Sequence, residues 1–418
     1  MKRLLCTMAL AALAGCDDGG ADPPPDAAPD AADLGLDPDA APSDDGGPPA
    51  DSGIPPALQA VAGELTYVAY EGDGGHIYSV FADGSLRQRV TPVAGRWTWH
   101  AVGPDPRYVA ALRHAADDAD GRPDPTSPAE VWIIDVRERR AWPLSPPGCD
   151  AAYGGIGWQN DTLVMFAASC DGGPAVAYLY PFDEESRDPG LLLPASAHDE
   201  GVRDVFPVAN TSLFAYALDG EVCAAGRCVQ KPAIWIAEYD TGLRCRITDG
   251  DPAMLDTTTI DGGERRLGDR WPAFNSDLGG LTFSRAVAGK PAGPDGHFDA
   301  FRVGIDQRLF FDSRRDPGQG CAQGGTEVDL SGNGIDERYP SADGGEAIGH
   351  ERYPQPAAGS RAPAGALLFT AQTFTPAGAT SAIWVGELGG GRRAVTSPTA
   401  WADYGRWIVD DYMLSGER

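Results

Sequence analysis

Lysine is nearly missing from this 418-residue chain: three are present, and 61 acidic residues against 33 basic ones leave a formal net charge of −28. With so little positive charge there is no basic face for a phosphate backbone, so nucleic-acid binding is excluded. The same acidity repels anionic lipid headgroups, and any membrane contact needs a separate device. Helical periodicity is also lacking. From Val61 onward no window carries a sustained 3.6-residue apolar pattern with caps at both ends, which argues against a helical protein. The apolar run Leu4 to Leu13 is too short to span a bilayer. Neither a G-x-S-x-G elbow nor an H-E-x-x-H pair occurs, so serine-hydrolase and zincin chemistry have no carrier.

What the chain has is turns and short apolar runs. Gly (54) and Pro (36) are abundant, and runs of four to seven apolar residues recur between them, which reads as all-β. Four runs are copies of one another: IYSVF…LRQRVT (Ile77 to Thr91), VWIIDV…RRAWPLS (Val131 to Ser145), IWIAEY…LRCRIT (Ile234 to Thr248) and IWVGEL…RRAVT (Ile383 to Thr396). Weaker copies, AVAYLY (Ala175 to Tyr180) and DAFRVGI (Asp299 to Ile305), fill the wider gaps and bring the count to six. Apolar residues at consecutive positions, as in VWII, mark strands buried on both faces.

A second element precedes the first: an aromatic or proline, a polar turn, then an apolar strand. It is seen in RWTWHAVGPDPRYVAAL, GWQNDTLVMFAA, FPVANTSLFAYAL, WPAFNSDLGGLTFS and YPQPAAGSRAPAGALLFTA. A final copy, WADYGRWIVDDY (Trp401 to Tyr412), has no IW copy after it, and the first IW copy has only LTYVAY (Leu65 to Tyr70) ahead of it. A unit split between the termini is how a ring of blades is fastened. The expectation is a six-bladed β-propeller over residues 58–418, closed by pairing N- and C-terminal strands. The stretch Phe311 to Gly344 offers no strand-like run for a seventh blade. Together the two elements resemble the TolB-type WD40-like (PD40) propeller repeat, although its SPDG turn survives only as GPDP (Gly103 to Pro106), NSDL (Asn275 to Leu278) and ADYG (Ala402 to Gly405).

The N-terminal residues read differently. Lys2 and Arg3, the apolar stretch Leu4 to Leu13, and Leu13-Ala14-Gly15-Cys16 resemble the signal peptide and lipobox of bacterial lipoproteins. The resemblance implies that residues 1–15 are removed and that Cys16 is lipidated, holding the chain to the inner or outer membrane with its body outside the cytoplasm. Residues 16–57 carry eleven Asp, no base and few bulky apolar side chains, so they form a disordered acidic linker.

Six cysteines follow Cys16: Cys149, Cys170, Cys223, Cys228, Cys245 and Cys321. Outside the cytoplasm they are disulfide candidates with fifteen possible pairings; Cys223 and Cys228 flank a tight AAGR turn, Cys149 and Cys170 bracket one hairpin, and Cys245 and Cys321 would be left. Asp329, Ser331, Asn333 and Glu337 lie in D-L-S-G-N-G-I-D-E, which resembles the Ca²⁺ loops of EF-hand and dockerin type and makes calcium the candidate cofactor. Pro340 stands where the bidentate Glu belongs. Two further acidic inserts, Asp118 to Asp124 and Pro294 to Asp299, have the same flavour, and each also reads as a solvated Asx turn. The six histidines are scattered through the body as packing or surface residues.

The expected function is a lipid-anchored cell-envelope scaffold that binds an envelope protein or glycan without catalysis. The alternative is a six-bladed enzyme of lactonase or sugar-dehydrogenase type with a metal or cofactor at the channel mouth. Prolyl-oligopeptidase-like enzymes share such propellers, but their nucleophile sits on an α/β-hydrolase domain for which this sequence has no counterpart.

Overall fold

A computed structural model describes residues 60–71, 74–182, 201–224, 227–240, 242, 244–248, 268–274, 280–286, 298–305, 327–329, 338–340, 346–356, 366–375, 378–387, 392–397 and 401–408. Every regular element among them is a β-strand. The first group is β1 (Leu65–Glu71), β2 (Gly74–Val80) and β3 (Gln88–Arg89). Then come four units of four strands: β4 (Trp97–Val102), β5 (Tyr108–His114), β6 (Ala129–Asp135), β7 (Arg140–Pro143); β8 (Cys149–Asp150), β9 (Ile156–Trp158), β10 (Leu163–Cys170), β11 (Val176–Pro181); β12 (Arg203–Pro207), β13 (Leu213–Ala224), β14 (Arg227–Glu238), β15 (Arg244–Arg246); and β16 (Asp269–Phe274), β17 (Gly280–Ala286), β18 (Phe298–Gly304), β19 (Glu327–Asp329). The chain continues with β20 (Arg338–Pro340), β21 (Glu346–Pro356), β22 (Ala366–Thr375), β23 (Gly378–Glu387), β24 (Arg392–Ala394) and β25 (Trp401–Trp407).

This is a propeller arrangement of antiparallel sheets, but the separate sheets number fewer than the repeat predicts. Four are four-stranded; all remaining strands join in one nine-stranded sheet, β20-β21-β22-β23-β25-β1-β2-β3 with β24 on β23. The reason for the merger is local. A single parallel bridge, Ser381 to Trp401, connects β23 with β25, and Ser381 Oγ donates to Ala402 O at 2.7 Å beside it. The stretch expected to lack strands holds two short ones, β19 and β20, which pair with β18 and β21. Strand β25 pairs antiparallel with β1, Trp407 opposite Leu65 and Trp401 opposite Tyr70. LTYVAY (β1) thus lies between WADYGRW (β25) and β2 in the nine-stranded sheet.

The IW copies are the third strands. Their core is carried by the residues flanking the aromatic: Ile77, Val131, Ile133, Ile134, Ile234, Ile236 and Ile383 are all fully buried, whereas Trp132, Trp235 and Trp384 are half-buried. Burial of each such aliphatic side chain contributes about 1.5–3 kcal/mol. Trp132 lies edge-on to Trp97 at 6.1 Å, with the Arg113 guanidinium 4.7 Å from its ring. The indole is too large to seal completely, and a cation covers its outer face. Units are also joined through side chains: Trp158 Nε1 donates to Ala101 O at 3.0 Å, and Gln159 Nε2 to Val208 O at 3.0 Å.

Candidate binding face

In an antiparallel four-stranded unit the start of the first strand and the turn between the second and third lie at the same end. One end of the strands therefore gathers the beginnings of β4, β8, β12, β16, β21 and β25 with the ends of β5, β10, β13, β17, β22 and β1. First strands are neighbours in the order β25, β4, β9, β12, β16, β21, and β21 contacts β25.

Each first strand is interrupted at a corresponding place. Trp97 faces Arg113 and His100 faces Ala111, so Thr98 and Trp99 oppose one residue. The same two-against-one bulge occurs at Asp204–Val205, Trp271–Pro272, Tyr353–Pro354 and Tyr404–Gly405. In the β8–β9 strand the interruption is larger, Ala151 to Gly155, between Asp150 opposite Ser169 and Ile156 opposite Phe166. A bulge adds a residue the ladder cannot pair and re-aims the side chains around it. Three bulge residues take the left-handed backbone despite having side chains: Asp204 (φ 54°), Trp271 (φ 55°) and Tyr404 (φ 54°). That conformation costs of order 1 kcal/mol outside glycine and persists where surrounding contacts impose it. Gly155 (φ 76°) is required, since a Cβ there would stand 2.3 Å from Val205 N.

The re-aimed side chains meet. Trp99, Trp271, Phe298 and Tyr404 belong to one apolar cluster, with Trp99 and Tyr404 ring centroids 5.5 Å apart and Trp271 and Phe298 5.1 Å apart. Beside them Asp204 accepts from Arg270, whose Nη2 lies 3.0 Å from Asp204 Oδ1. Arg406 reaches furthest. From β25 its Nη1 donates to Ile156 O of β9 at 2.5 Å, and its Cζ lies 5.5 Å from the ring centroids of both Trp99 and Phe206. One buried guanidinium thus touches β4, β9 and β12 together. His100 is wholly buried, its Nε2 2.9 Å from Thr66 Oγ1 and its Nδ1 3.3 Å from Thr98 O. Burial, and then the Arg406 charge, hold the His100 pKa down to about 3, so the ring is neutral.

Comparison with known proteins gives distant likenesses. The sequence matches no protein-family model and no curated protein. Among solved structures it resembles TolB from Acinetobacter baumannii, at 12% identity over 84% of this chain and 67% of that one, with a TM-score of 0.49. A protein assigned as a TolB from Agrobacterium tumefaciens gives 0.43 at 10% identity, covering 82% of this chain and 98% of that one. Hydrazine synthase of Kuenenia stuttgartiensis gives 0.47 at 11% identity, over 84% and 47%. TolB proteins are thus among the structural neighbours, at identities of 12% or less and TM-scores below 0.5.

The predicted site residues are dispersed. Cys149 and Cys170, opposite one another in the β8–β10 ladder, are joined in a disulfide with their Cα atoms 4.0 Å apart. Cys245 is buried and also disulfide-bonded, while Cys223 and Cys228 stand opposite each other on β13 and β14. Asp329 ends β19, opposite Phe301. Cys16, Cys321, Ser331, Asn333 and Glu337 lie outside the described residues. In the acidic insert before β6, Asp118 and Asp120 both pair with Arg122, Asp118 Oδ1 accepts from the backbone N–H groups of Asp120 and Arg122, and Asp124 Oδ1 caps Thr126. Those carboxylates are engaged as turn formers. Among the described residues no group of three His, Cys, Asp or Glu side chains is placed to hold a metal ion. His76 and His114 are likewise engaged within the body, by Thr91 Oγ1 at 2.9 Å and Ser127 O at 3.1 Å. The residues sequence reasoning missed are Asp204, Arg270 and Arg406. Their signal was present as the aromatic-or-proline element ahead of each apolar strand, which marks the bulge.

Proposed function

We propose that this protein is a lipid-anchored cell-envelope propeller that binds an envelope protein or glycan and performs no reaction. The observation that supports the reading is the packing, among the described residues, of Trp99, Trp271, Phe298 and Tyr404 beside Arg406 where first strands meet. A propeller enzyme needs an open mouth with convergent polar groups for its metal or cofactor. Here the first strands of several units meet through packed rings and through a guanidinium committed to Ile156 O. Recognition then falls to what differs between units, namely the long β13–β14 hairpin and the Asp117 to Asp124 insert.

We read the nine-stranded sheet as two blades, which makes six. Support comes from the single bridge at Ser381, set against ladders of seven and ten residue pairs on either side of it, and from the cyclic order of first strands. On this reading β25 and β1 fasten the ring. Anchoring through Cys16 follows from the lipobox and would leave the acidic linker as a spacer above the membrane.

The test is photo-crosslinking in intact cells with a reactive residue in the Asp117 to Asp124 insert, followed by identification of the adduct. A single envelope component, lost when the reporter moves to the opposite face, is expected. Stoichiometric metal or a chromophore in the purified protein would overturn the non-catalytic reading. Cys16→Ala should release the body into the soluble fraction, and continued membrane association would defeat the lipid anchor.

A further inference from the structure

The β13–β14 hairpin is longer than its unit requires. Its twelve residue pairs run from Leu213 opposite Glu238 to Ala224 opposite Arg227. The neighbouring first strand pairs with β13 only between Arg203–Ala217 and Pro207–Phe214, and β15 pairs with β14 only over Trp235 to Ala237. The six pairs from Asp219–Pro232 to Ala224–Arg227 therefore continue as a two-stranded ribbon, with no third strand on either edge among the described residues. At about 3.3 Å per residue this ribbon runs about 20 Å beyond its sheet. Two strands alone are marginally stable in water, so a ribbon of this length needs a fastening near its tip.

Cys223 and Cys228 are directly opposite one another in that register, one pair from its end. Facing residues of an antiparallel pair have Cα atoms about 4.5–5.5 Å apart, inside the range a disulfide spans. Cys245 is excluded as a partner for either. It lies opposite Ile236, which is eight residues along β14 from Cys228, or about 26 Å at strand rise. A disulfide cannot close across more than about 7 Å between Cα atoms. We propose that Cys223 and Cys228 form a cross-strand disulfide that staples the ribbon. With Cys149 and Cys170 already joined, the disulfide at Cys245 then falls to Cys321, the remaining cysteine of the body. Of the three pairings open to the last four cysteines, this is the one compatible with the register.

The bond forms as the two thiols give up two protons and two electrons. The acceptor is the disulfide of a thiol–disulfide oxidoreductase, which is reduced to its dithiol. Cys149–Cys170 requires the same class of oxidant. The inference does not depend on what the bulged face binds.

The test uses the full-length protein, purified without reductant and alkylated before digestion with trypsin. Cleavage after Arg227 falls between the two cysteines, so the bond would hold the peptide ending at Arg227 to the one beginning at Cys228. Expected is that linked pair, separating into two peptides on reduction. Alkylated Cys223 and Cys228, or either one linked to Cys245 or Cys321, would overturn the assignment. Hydrogen exchange supplies a second readout. In the Cys223→Ser, Cys228→Ser double variant, amides of residues 219–232 should exchange about tenfold faster while those of 108–135 keep their rates. Unchanged protection of the ribbon would show that the bond fastens nothing.

Discussion

First and second strands of the same units obey opposite rules. The second strands β1, β5, β10, β13 and β17 pair in regular register with the third strands beyond them. Their middles are buried and largely apolar, as in Val109-Ala110-Ala111-Leu112 and Val164-Met165-Phe166-Ala167. The first strands are bulged, carry Asp204, Arg270, Asp403, Arg406 and His100, and bury most of those groups as well. Repetition across units therefore encodes packing, and departure from it within the first strands encodes a polar and aromatic centre. If so, equal truncations on the two kinds of strand should have unequal effects. Phe283→Ala, in a fully buried second strand, should lose about 3–5 kcal/mol of stability, whereas Tyr404→Ala, half-buried and freed of its left-handed strain only in part, should lose about 1–2 kcal/mol. Denaturant melts of the two variants with similar losses would remove the distinction.

Arg406 sharpens the comparison because it joins several first strands at once. Arg406→Met keeps much of the volume but leaves Ile156 O without its donor and removes the cation beside Trp99 and Phe206. A loss of about 2–4 kcal/mol is expected. Arg406→Lys should not restore it, since an ammonium cannot reproduce a planar fork that stacks on rings while it donates. A lysine variant as stable as the parent would show that charge alone is needed. Stability and partner crosslinking, measured on the same variants, separate a structural role from a direct contact.

The buried histidine yields a pH signature. Burial keeps His100 neutral in the folded protein, with its pKa near 3, while the unfolded chain titrates near pH 6.5. As pH falls below about 6.5 the unfolded state takes up a proton that the folded state refuses, and stability declines until pH approaches 3. Between pH 7 and pH 5 this amounts to about 2 kcal/mol. His114, lowered by burial, acts in the same direction. Asp135 differs: burial raises its pKa, but hydrogen bonds from Arg107 and Glu138 N outweigh that and leave it lowered. Its contribution is present above about pH 4 and is lost only in stronger acid. His100→Gln can keep a hydrogen bond to Thr66 without titrating, so its stability should fall less steeply between pH 7 and pH 5. Parallel slopes for the variant and the parent would assign the acid loss elsewhere.

How much of this was legible depends on which strand is read. The IW copies announced the third strands because two-sided burial demands an unbroken apolar run, and VWII and IWIA have no other use. The aromatic-or-proline element located the first strands, and GPDP (Gly103 to Pro106) the turn between β4 and β5; ADYG (Ala402 to Gly405), read as such a turn, instead lies inside β25, and NSDL (Asn275 to Leu278) lies outside the described residues. What could not be read was convergence. Asp204 and Arg270 are 66 residues apart, and Arg406 and Ile156 are 250 apart, so no local spacing relates them. The aromatic-or-proline element marks where each bulge falls but not where it re-aims the side chains, because one added residue shifts which of them share a face. The acidic insert before β6 was misleading for a physical reason, because Asp and Gly at close spacing serve both cation loops and Asx turns. Arg122 decides between them by supplying the positive charge itself.

That arginine gives the smallest and most discriminating test. Its side chain pairs with Asp118 and Asp120 and lies with its Cζ 3.9 Å from the Trp401 ring centroid at the start of β25. The insert belongs to the β4–β7 unit, and Trp401 to the strand that pairs with β1. Arg122 therefore holds a loop that differs between units onto first strand β25. A partly exposed cation–π contact contributes about 0.5–1 kcal/mol, and the ion pairs little more at physiological salt. Arg122→Ala should lower the melting temperature by only a few degrees at most. The larger change should be local: residues 115–127 lose their anchor, and limited proteolysis within that insert should quicken while the β5–β6 ladder remains protected. Arg122→Lys keeps the charge beside Asp118 and Asp120 but loses the flat stack on the indole. If the lysine variant resists proteolysis as well as the parent does, the ion pairs position the insert; if it is cut as quickly as the alanine variant, the ring of Trp401 does.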